Sequence, residues 1–483
     1  MLAYVLIFGW MVTQRHARFN SSGYDLGIQA QVVWNTSRGY LYHSSVEVDN
    51  YLGDHFQPLM ILLAPLCWFL PSTYGLLAFQ TIVLALGAIP LFRLAQRQLG
   101  SPWAGLAFAL VYLLYPAVGY INRFDFHWEH TVIPLFLAAA DAVDTGQLGW
   151  ASLFLALAML GKEEIGLTVA AFGLLLALHG RWKFGVVWSI AGVGFSLVVL
   201  FVLMPLFREA PSDTLDRYKW LDSMPVEMLE TLITHPHVLL QVGLPLRVLS
   251  LGLQLLIPLA FLPLMGLWTL VVTLPSLGYN LLSSFSPQHT IYGQYMAPTV
   301  PFMLIAAVQG MGKLQRALSK RVQTPYVGWG IWAGLLLCTI HAAAVISPLR
   351  DIGLVPPAWP HLHNETAVRA GLAHVPPDVS VFTTNHYAPH LSQRYTLYVF
   401  VYPNDVGRLS DADVAFFNVQ DHRSVVSRLG CEDYRRFLGA AAQAGFGVVF
   451  NQEGVTVLQR EKGEIMTSTL IDSLMEACED TDP

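Results

Sequence analysis

The sequence predicts an α-helical polytopic membrane protein that ends in a small extracytoplasmic α/β domain, and three observations carry that prediction. Of 483 residues, 54% are hydrophobic and only 12% charged, roughly half the charged share of about 25% usual in soluble chains. The charges are unevenly placed: residues 1–347 hold 33 of the 60, and the 136 residues from Pro348 onward hold 27. Apolar stretches suited to about 30 Å of hydrocarbon recur through the first part and cease in the second. Net charge is 27 − 33 = −6. With no basic run outside one short loop, nucleic acid is excluded as a partner. The four cysteines, Cys67, Cys338, Cys431 and Cys478, lie too far apart for a zinc knuckle or a CxxC redox pair. Only Cys431 and Cys478 share a watery compartment in which a disulfide can form.

Basic residues in short loops mark the cytoplasmic side of a membrane protein. Three such pins stand out: Arg93 with Arg97, Arg181 with Lys183, and Lys313, Arg316, Lys320 with Arg321. They fit about eleven spans, near 1–14, 75–93, 102–120, 131–145, 149–161, 166–180, 184–206, 247–263, 265–282, 295–312 and 326–347, with the N-terminus inside and the tail outside. The inner loops then carry eight basic residues and two acids, Asp141 and Asp144, while the other 14 acids of this part fall outside. The first span, about 14 residues, is short for a crossing, which points to a start further upstream; no small-x-small cleavage site precedes Gln14. His55 to Pro71 is apolar but short, with Pro58, Pro65 and Pro71. It reads as a helix in or dipping into the outer interface. The expected domains are a membrane domain over 1–347 with a long first outer loop at 15–54, an α/β domain over 348–465, and an acidic tail over 466–483.

That first loop is far longer than an ordinary connection, and such loops carry function. Asp25 to Arg38 mixes apolar Leu26, Ile28, Val32, Val33 and Trp34 with Gln29, Gln31 and Asn35, as in a helix lying on the membrane surface. Asp25 falls in its first turn, where a carboxylate suits the helix dipole, so a plain helix cap competes with a catalytic role. Three further groups arrive on the same face: Asp54 with His55; Asp125, His127, Glu129 and His130 in FDFHWEH; and Lys162, Glu163 and Glu164 between two spans. Ionisable groups at the ends of apolar helices are expensive unless paired or facing water, which makes them site candidates. Internal pairing is the bland alternative for Lys162, and interfacial solvation for His127 and His130. Asp and Glu oxygens with few nitrogens suit Mg²⁺ or Mn²⁺, while one Asp acting as a general base needs no metal. Arg217 and Lys219, beside Tyr218 and Trp220, offer a phosphate clamp. His289, Tyr292, Gln294 and Tyr295 offer aromatic and polar contacts, or an ordinary interfacial belt.

The segments GYDLGIQAQVVWNTSRG, NYLGDHFQPLMILLAPL, FDFHWEH, LGKEEIG, RYKW and YGQYMAPTVPF resemble a widespread bacterial and archaeal family of polytopic membrane proteins of unknown function, grouped with the GT-C glycosyltransferases. The resemblance covers most of the chain to about residue 400. It implies a GT-C-like membrane fold and sugar transfer from a polyprenyl-phosphate donor to an extracytoplasmic acceptor at the inner (plasma) membrane. It also implies that Asp25 matches the first-loop acid and that Asp125 and Glu129 match the second-loop acid motif. These three are the catalytic candidates and, with Mg²⁺ or Mn²⁺, the candidate metal ligands. Asp54, His55, Lys162, Glu163, Arg217, Lys219, His289, Tyr292 and Tyr295 are the candidate substrate contacts. One departure bears on the metal: Leu26 and Gly27 follow Asp25, so there is no contiguous acidic pair. A transporter or flippase for a lipid-linked or anionic solute, using Lys162 and the buried acids for ion coupling, is the rival function; no inverted repeat is evident between the halves.

After Pro348 short β-rich runs, Val379–Thr383, Thr396–Val401, Val414–Asn418 and Gly447–Phe450, alternate with helical ones such as Glu432 to Ala442, which predicts the α/β domain. Asn385, His386, His390 and Arg394 invite a site hypothesis, and a surface loop is the reading preferred for them. Glu476, Glu479, Asp480 and Asp482 mark a frayed helix and acidic tail.

Overall fold

The computed structural model describes residues 1–208, 213–222, 225–321, 326–352, 362–400, 403–421, 423 and 431–479. The chain divides into two compact units. One comprises Met1–Met11, Leu52–Leu59 and Ala78–Pro357, the other Val12–Tyr51, Met60–Leu77 and Ala358–Pro483.

The first unit is helical. Among the described residues four helices are long and apolar enough to cross a membrane: Ser72–Leu99, Trp182–Phe207, Leu262–Leu282 and Gly328–Ile346. Pro102–Leu114 and Pro116–Arg123, bent by 44°, make a fifth crossing if taken together. The bend falls where Tyr115, held extended before Pro116, cannot continue the helix. Each of the eleven segments expected to span is helical in whole or part. Several are short, however: Val132–Asp144, Leu148–Met159 and Ile165–Leu178 run for 13, 12 and 14 residues, about 20 Å each at 1.5 Å per residue. Phe136, Phe172 and Phe302 pack at the centre with ring centroids 5.1 and 5.3 Å apart. The proline-rich stretch after His55 is a 3₁₀ helix over Pro58–Trp68, which from Met60 onward belongs to the second unit.

One seam in this unit positions later chemistry. Ile165–Leu178 and Trp182–Val198 are antiparallel, and glycines seven apart on each, Gly166 and Gly173, Gly185 and Gly192, face the partner backbone. A Cβ on Gly173 would stand 2.6 Å from the Gly185 carbonyl oxygen, so only glycine permits this approach. The seam brings Ser196 Oγ within 2.7 Å of the Glu163 carbonyl, to which it donates.

The second unit is built on a six-stranded sheet in the order β2-β1-β3-β5-β4-β6. Its strands are β1 (Val381–Thr384), β2 (Leu397–Phe400), β3 (Val414–Asn418), β4 (Phe446–Gln452), β5 (Val455–Arg460) and β6 (Glu464–Ile465). β1 pairs in parallel with β2 and β3, and the remaining pairings are antiparallel. Of the expected β2 residues, Val401 lies outside the described residues. β5 and β6 were not separately expected; β5 follows β4 across Gly454, whose φ of +74° makes the tight reversal. Helix Cys431–Gln443 packs on this sheet through Phe437 and Leu438. A disulfide joins Cys431 to Cys478 with Cα atoms 5.8 Å apart, which anchors the helix Ser468–Glu479 where a frayed end was expected. Asp480 and Asp482 of the expected tail lie outside the described residues.

The first-loop helix also belongs to this unit, and it differs from the expected surface helix. It begins as a π-turn, Gly23–Gly27, and continues as Ile28–Ser37. Its polar residues Gln29, Gln31 and Asn35 are buried along with its apolar ones. For Gln31 the reason is hydrogen bonding, its Nε2 donating to Ser45 Oγ and to the Arg394 and Tyr395 carbonyls, and Asn35 Nδ2 donates to the His43 carbonyl. The segment around Asn385 is likewise no surface loop. Asn385 Oδ1 accepts from Gly23 N at 2.7 Å, and His390 stacks on His16 with centroids 4.2 Å apart. Arg394 is buried and donates to the Pro376 and Val379 carbonyls.

Candidate functional site

The ionisable residues singled out in the first unit converge. The glycine seam holds the turn Lys162-Glu163-Glu164 against Ser196. Two other segments are held facing it. In the first, Gln80 Nε2 donates to the carbonyls of Ile121, Asn122 and Phe124, and its Oε1 accepts from His127 N. One buried amide thereby fixes the entry of FDFHWEH. Phe126 and Trp128 are buried against Phe79, and the 3₁₀ turn Trp128–Thr131 carries Glu129. In the second, Gly53 approaches Phe207 so closely that a Cβ would lie 2.6 Å from its carbonyl oxygen. Arg208 Nε donates to the Gly53 carbonyl at 2.7 Å, which sets Asp54, His55 and Gln57.

Lys162 Nζ lies 2.7 Å from Glu129 Oε1 and 3.2 Å from Glu164 Oε1. Glu163 turns the other way: His55 Nδ1 is 3.2 Å from its Oε1, and Phe56 N donates to its Oε2 at 3.1 Å. His55 Nε2 is 3.9 Å from Asp54 Oδ2, and Gln57 Nε2 reaches Glu129 Oε2 at 3.5 Å. Glu129, Lys162 and Glu163 are buried, as are Asp125, His127 and His130. The internal pairing considered for Lys162 is present with Glu164, and the contacts of Lys162 with Glu129, of Gln57 with Glu129 and of His55 with Glu163 join three segments far apart in sequence.

Burial opposes every charge here, and the outcome differs by residue. Burial alone would lower the Lys162 ammonium, but Glu129, Glu164 and Glu163 hold it well above its usual value. Burial raises Glu129, yet Lys162, His127 and His55 outweigh it and bring that carboxyl down to about 2. For His55 the lowering by burial and Lys162 is overcome by Asp54 and Glu163, so the imidazole rises to about 9. Burial also raises Glu163, but His55 and Lys162 carry it below its usual value. Glu164 goes the other way. Burial, with Glu163 and Glu129 nearby, exceeds the pull of Lys162 and leaves it at about 7, the range suited to exchanging protons at neutral pH.

Asp25 lies in the second unit, in the first turn of the π-turn, where the cap position belongs to Ser22 and no side chain makes a capping bond. The other candidates of the first unit do not pair with Lys162. Lys219 is exposed and bonded to Asp216 at 2.7 Å, and Arg217 lies over Phe285 at 4.9 Å. His289 bonds the Ser283 carbonyl and Arg247, Tyr292 packs edge-on against Tyr120, and Tyr295 packs against Phe285. Sequence reading undervalued Gln57 and Glu164, and passed over Tyr218 as a neighbour of Glu164. Burial and that carboxylate both push the Tyr218 phenol up, and its hydroxyl donates to the Tyr279 carbonyl. Only the proximity of Tyr218 to Lys219 in RYKW hinted at it. Beside Glu129, the Trp128 indole N–H and His130 Nε2 are buried with no hydrogen-bond partner among the described residues.

These residues do not fit a resident divalent ion. Lys162 already occupies the position between Glu129 and Glu164 that a cation would take, and His55, protonated at neutral pH, is no ligand. Among the described residues no group of three or more His, Cys, Asp or Glu is arranged to hold a metal.

The sequence matches the family described as "Predicted membrane protein (DUF2079)" over residues 15–457. The chain belongs to that family. No curated protein matches it. Among solved structures, this DUF2079 protein is similar to ArnT from Cupriavidus metallidurans bound to undecaprenyl phosphate, with 13% identity and a TM-score of 0.51 over 95% of this chain and 96% of that one. The apo state of the same ArnT gives 13% identity and 0.45 over 95% and 98%. The Archaeoglobus fulgidus oligosaccharyltransferase gives 12% and 0.46 over 95% and 73%. At such identity the first likeness establishes the fold: a polytopic helical membrane protein of GT-C type carrying a small C-terminal sheet domain.

Proposed function

We propose that this DUF2079 protein is a membrane glycosyltransferase that moves a sugar from a polyprenyl-phosphate donor to an extracytoplasmic acceptor at the plasma membrane. The observation that carries the reading is the likeness in fold, along nearly the whole chain, to an ArnT crystallised with undecaprenyl phosphate. Fold alone does not name a reaction; the Lys162–Glu129–Glu164 network supplies the reason to expect chemistry, since perturbed titratable groups cluster at functional sites.

In this reading Asp25 accepts the proton of the acceptor hydroxyl as the acceptor oxygen bonds to the sugar's anomeric carbon. The bond from that carbon to the phosphate oxygen breaks, and polyprenyl phosphate leaves with the electron pair, so the anomeric configuration inverts. Asp125 and Glu129 position the acceptor, with Lys162, His127 and His55 holding Glu129 ionised and Asp54 and Glu163 holding His55 protonated. Arg217 is the better donor-phosphate contact of its pair, since Lys219 is already bonded to Asp216. His289, Tyr292 and Tyr295 line the donor's path. No step is assigned to a metal.

The test is release of polyprenyl phosphate by the full chain in nanodiscs supplied with a panel of polyprenyl-phosphate sugars. Asp25→Asn, which keeps the size of the side chain, should lower turnover by about 10²–10⁴-fold. An Asn variant with full turnover removes Asp25 from catalysis. Glu164, poised near neutrality beside Lys162, favours a second reading as a proton-coupled carrier for a lipid-linked or anionic solute. Proton-driven flux of a labelled polyprenyl phosphate across proteoliposomes, without transfer, would select that reading.

A further inference from the structure

The helices Val132–Asp144 and Ile165–Leu178 begin beside the Lys162 network and run away from it. At their far ends, about 20 Å off at 1.5 Å per residue, lies a cavity of about 510 Å³. Its wall is apolar, with Phe172, Leu175, Leu176, Ile305 and Val308, and its mouth carries Arg181, Lys313 and Arg316. A second cavity of about 600 Å³ shares Lys313 and Arg316 and adds Lys320.

The charge balance at this mouth is positive. The one carboxylate there, Asp144, is taken by Arg97, whose Nε is 2.9 Å from Asp144 Oδ2, and by Gln98. Lys313 Nζ donates to the Met265 carbonyl at 2.7 Å and Arg181 Nη2 to the Val143 carbonyl at 2.7 Å. Carbonyls orient these cations without neutralising them. Arg316, exposed on the last turns of Val300–Ser319, makes no ion pair or side-chain hydrogen bond among the described residues. Helix caps and topology account for basic residues at helix ends, but not for an apolar cavity of this size opening beneath them. Trp268, also lining it, is 65% exposed, as suits a ring at a head-group boundary.

We propose that this is a binding site for one anionic phospholipid, with an acyl chain along the Phe172 and Ile305 wall and the phosphate at Arg316, Lys313 and Arg181. It stands apart from the donor site of the proposed transferase and does not depend on that reading. An apolar wall selects a lipid over a soluble anion, and a cationic mouth selects an acidic head group over a zwitterionic one.

Native mass spectrometry of the full chain, released from detergent containing equal phosphatidylglycerol and phosphatidylcholine, tests it. The wild type should retain phosphatidylglycerol preferentially. Arg316→Gln should lower that retention about fivefold, the worth of one basic residue near an anionic head group, and Arg316→Lys should keep most of it. Leu175→Trp, which fills the apolar wall without touching the charges, should lower retention of phosphatidylglycerol as well. Equal retention of the two lipids by the wild type, unchanged retention in Arg316→Gln and Leu175→Trp, or displacement of the lipid by equimolar inorganic phosphate would each overturn the proposal.

Discussion

The two compact units bury polar groups by opposite means, and a histidine in each shows how. His55, in the first unit, sits against Asp54 and Glu163 and rises to about 9 despite burial. His390, in the second, lies between His16 and Phe19, and burial lowers it to about 4 although the His16 carbonyl bonds its ring. Around Lys162 the first unit keeps enclosed groups charged by pairing them with opposite charges, Glu129 with Lys162 and Glu163 with His55. The second mostly keeps them neutral or spends their donors on carbonyls, as Gln31 and Arg394 do. Charge networks of the first kind can respond to substrate and to pH, whereas the second kind fixes a shape. The contrast places the candidate chemistry of the first unit in its charges.

The strongest test of that contrast is Lys162→Met, which leaves the buried Glu129 and the half-buried Glu164 without their cation. Removing one member of a buried pair costs about 3–5 kcal/mol, so thermal unfolding of the purified protein should fall sharply, and Glu129→Gln in the same chain should recover part of the loss. No recovery would mean that the pair is not the unit of stability. A smaller effect is expected in the second unit from Cys431→Ser, which opens the loop closed onto Cys478 and should cost about 2–4 kcal/mol. Proteolysis around Ser468–Glu479 would report it, with the first unit unchanged.

Asn385→Ala sharpens the comparison at a neutral site. Its Oδ1 accepts from Gly23 N and Tyr24 N, and losing it should cost about 1 kcal/mol. Hydrogen exchange at Gly23 and Tyr24 should rise with little change near Lys162. The smallest and most diagnostic effect is in pH. The stabilisation from His55 is complete below its unfolded value of about 6.5 and is lost as pH rises through about 9. That from neutral His390 is complete above about 6.5 and is lost as pH falls toward about 4. Denaturant titrations should therefore show His55→Gln flattening only the alkaline limb and His390→Gln only the acid limb; the same limb changing in both would erase the distinction between the units.

Much of this was legible along the chain, because composition and period-two or helical apolar runs report local choices. The helix over 132–144 and the strand Val414–Asn418 follow from nearest-neighbour chemistry, and the Cys431–Cys478 pair from both cysteines lying in the polar part of the chain. The clustering of Asp54, His55, Glu129 and Lys162 was half legible, since acids at the ends of apolar helices announce a site but not who pairs with whom. The burial of Gln29, Gln31 and Asn35 was not, because their mixture with apolar residues fits a membrane-surface helix equally well. For Gln31 the carbonyls of Arg394 and Tyr395, more than 360 residues away, decide that the amide faces protein.

The sequence by itself determined the class of molecule: a charge-poor helical membrane part, a polar α/β end, and the residues whose chemistry is costly to place in lipid. Tertiary structure alone decided their states. Glu129, a buried carboxyl, is held ionised by Lys162 of another segment at 2.7 Å, whereas the half-buried Glu164, 3.2 Å from Lys162 of its own turn and opposed by Glu163 and Glu129, stands at about 7. Those distances depend in turn on how closely glycines let two helices approach, because electrostatic energy in a low-dielectric interior changes steeply with separation.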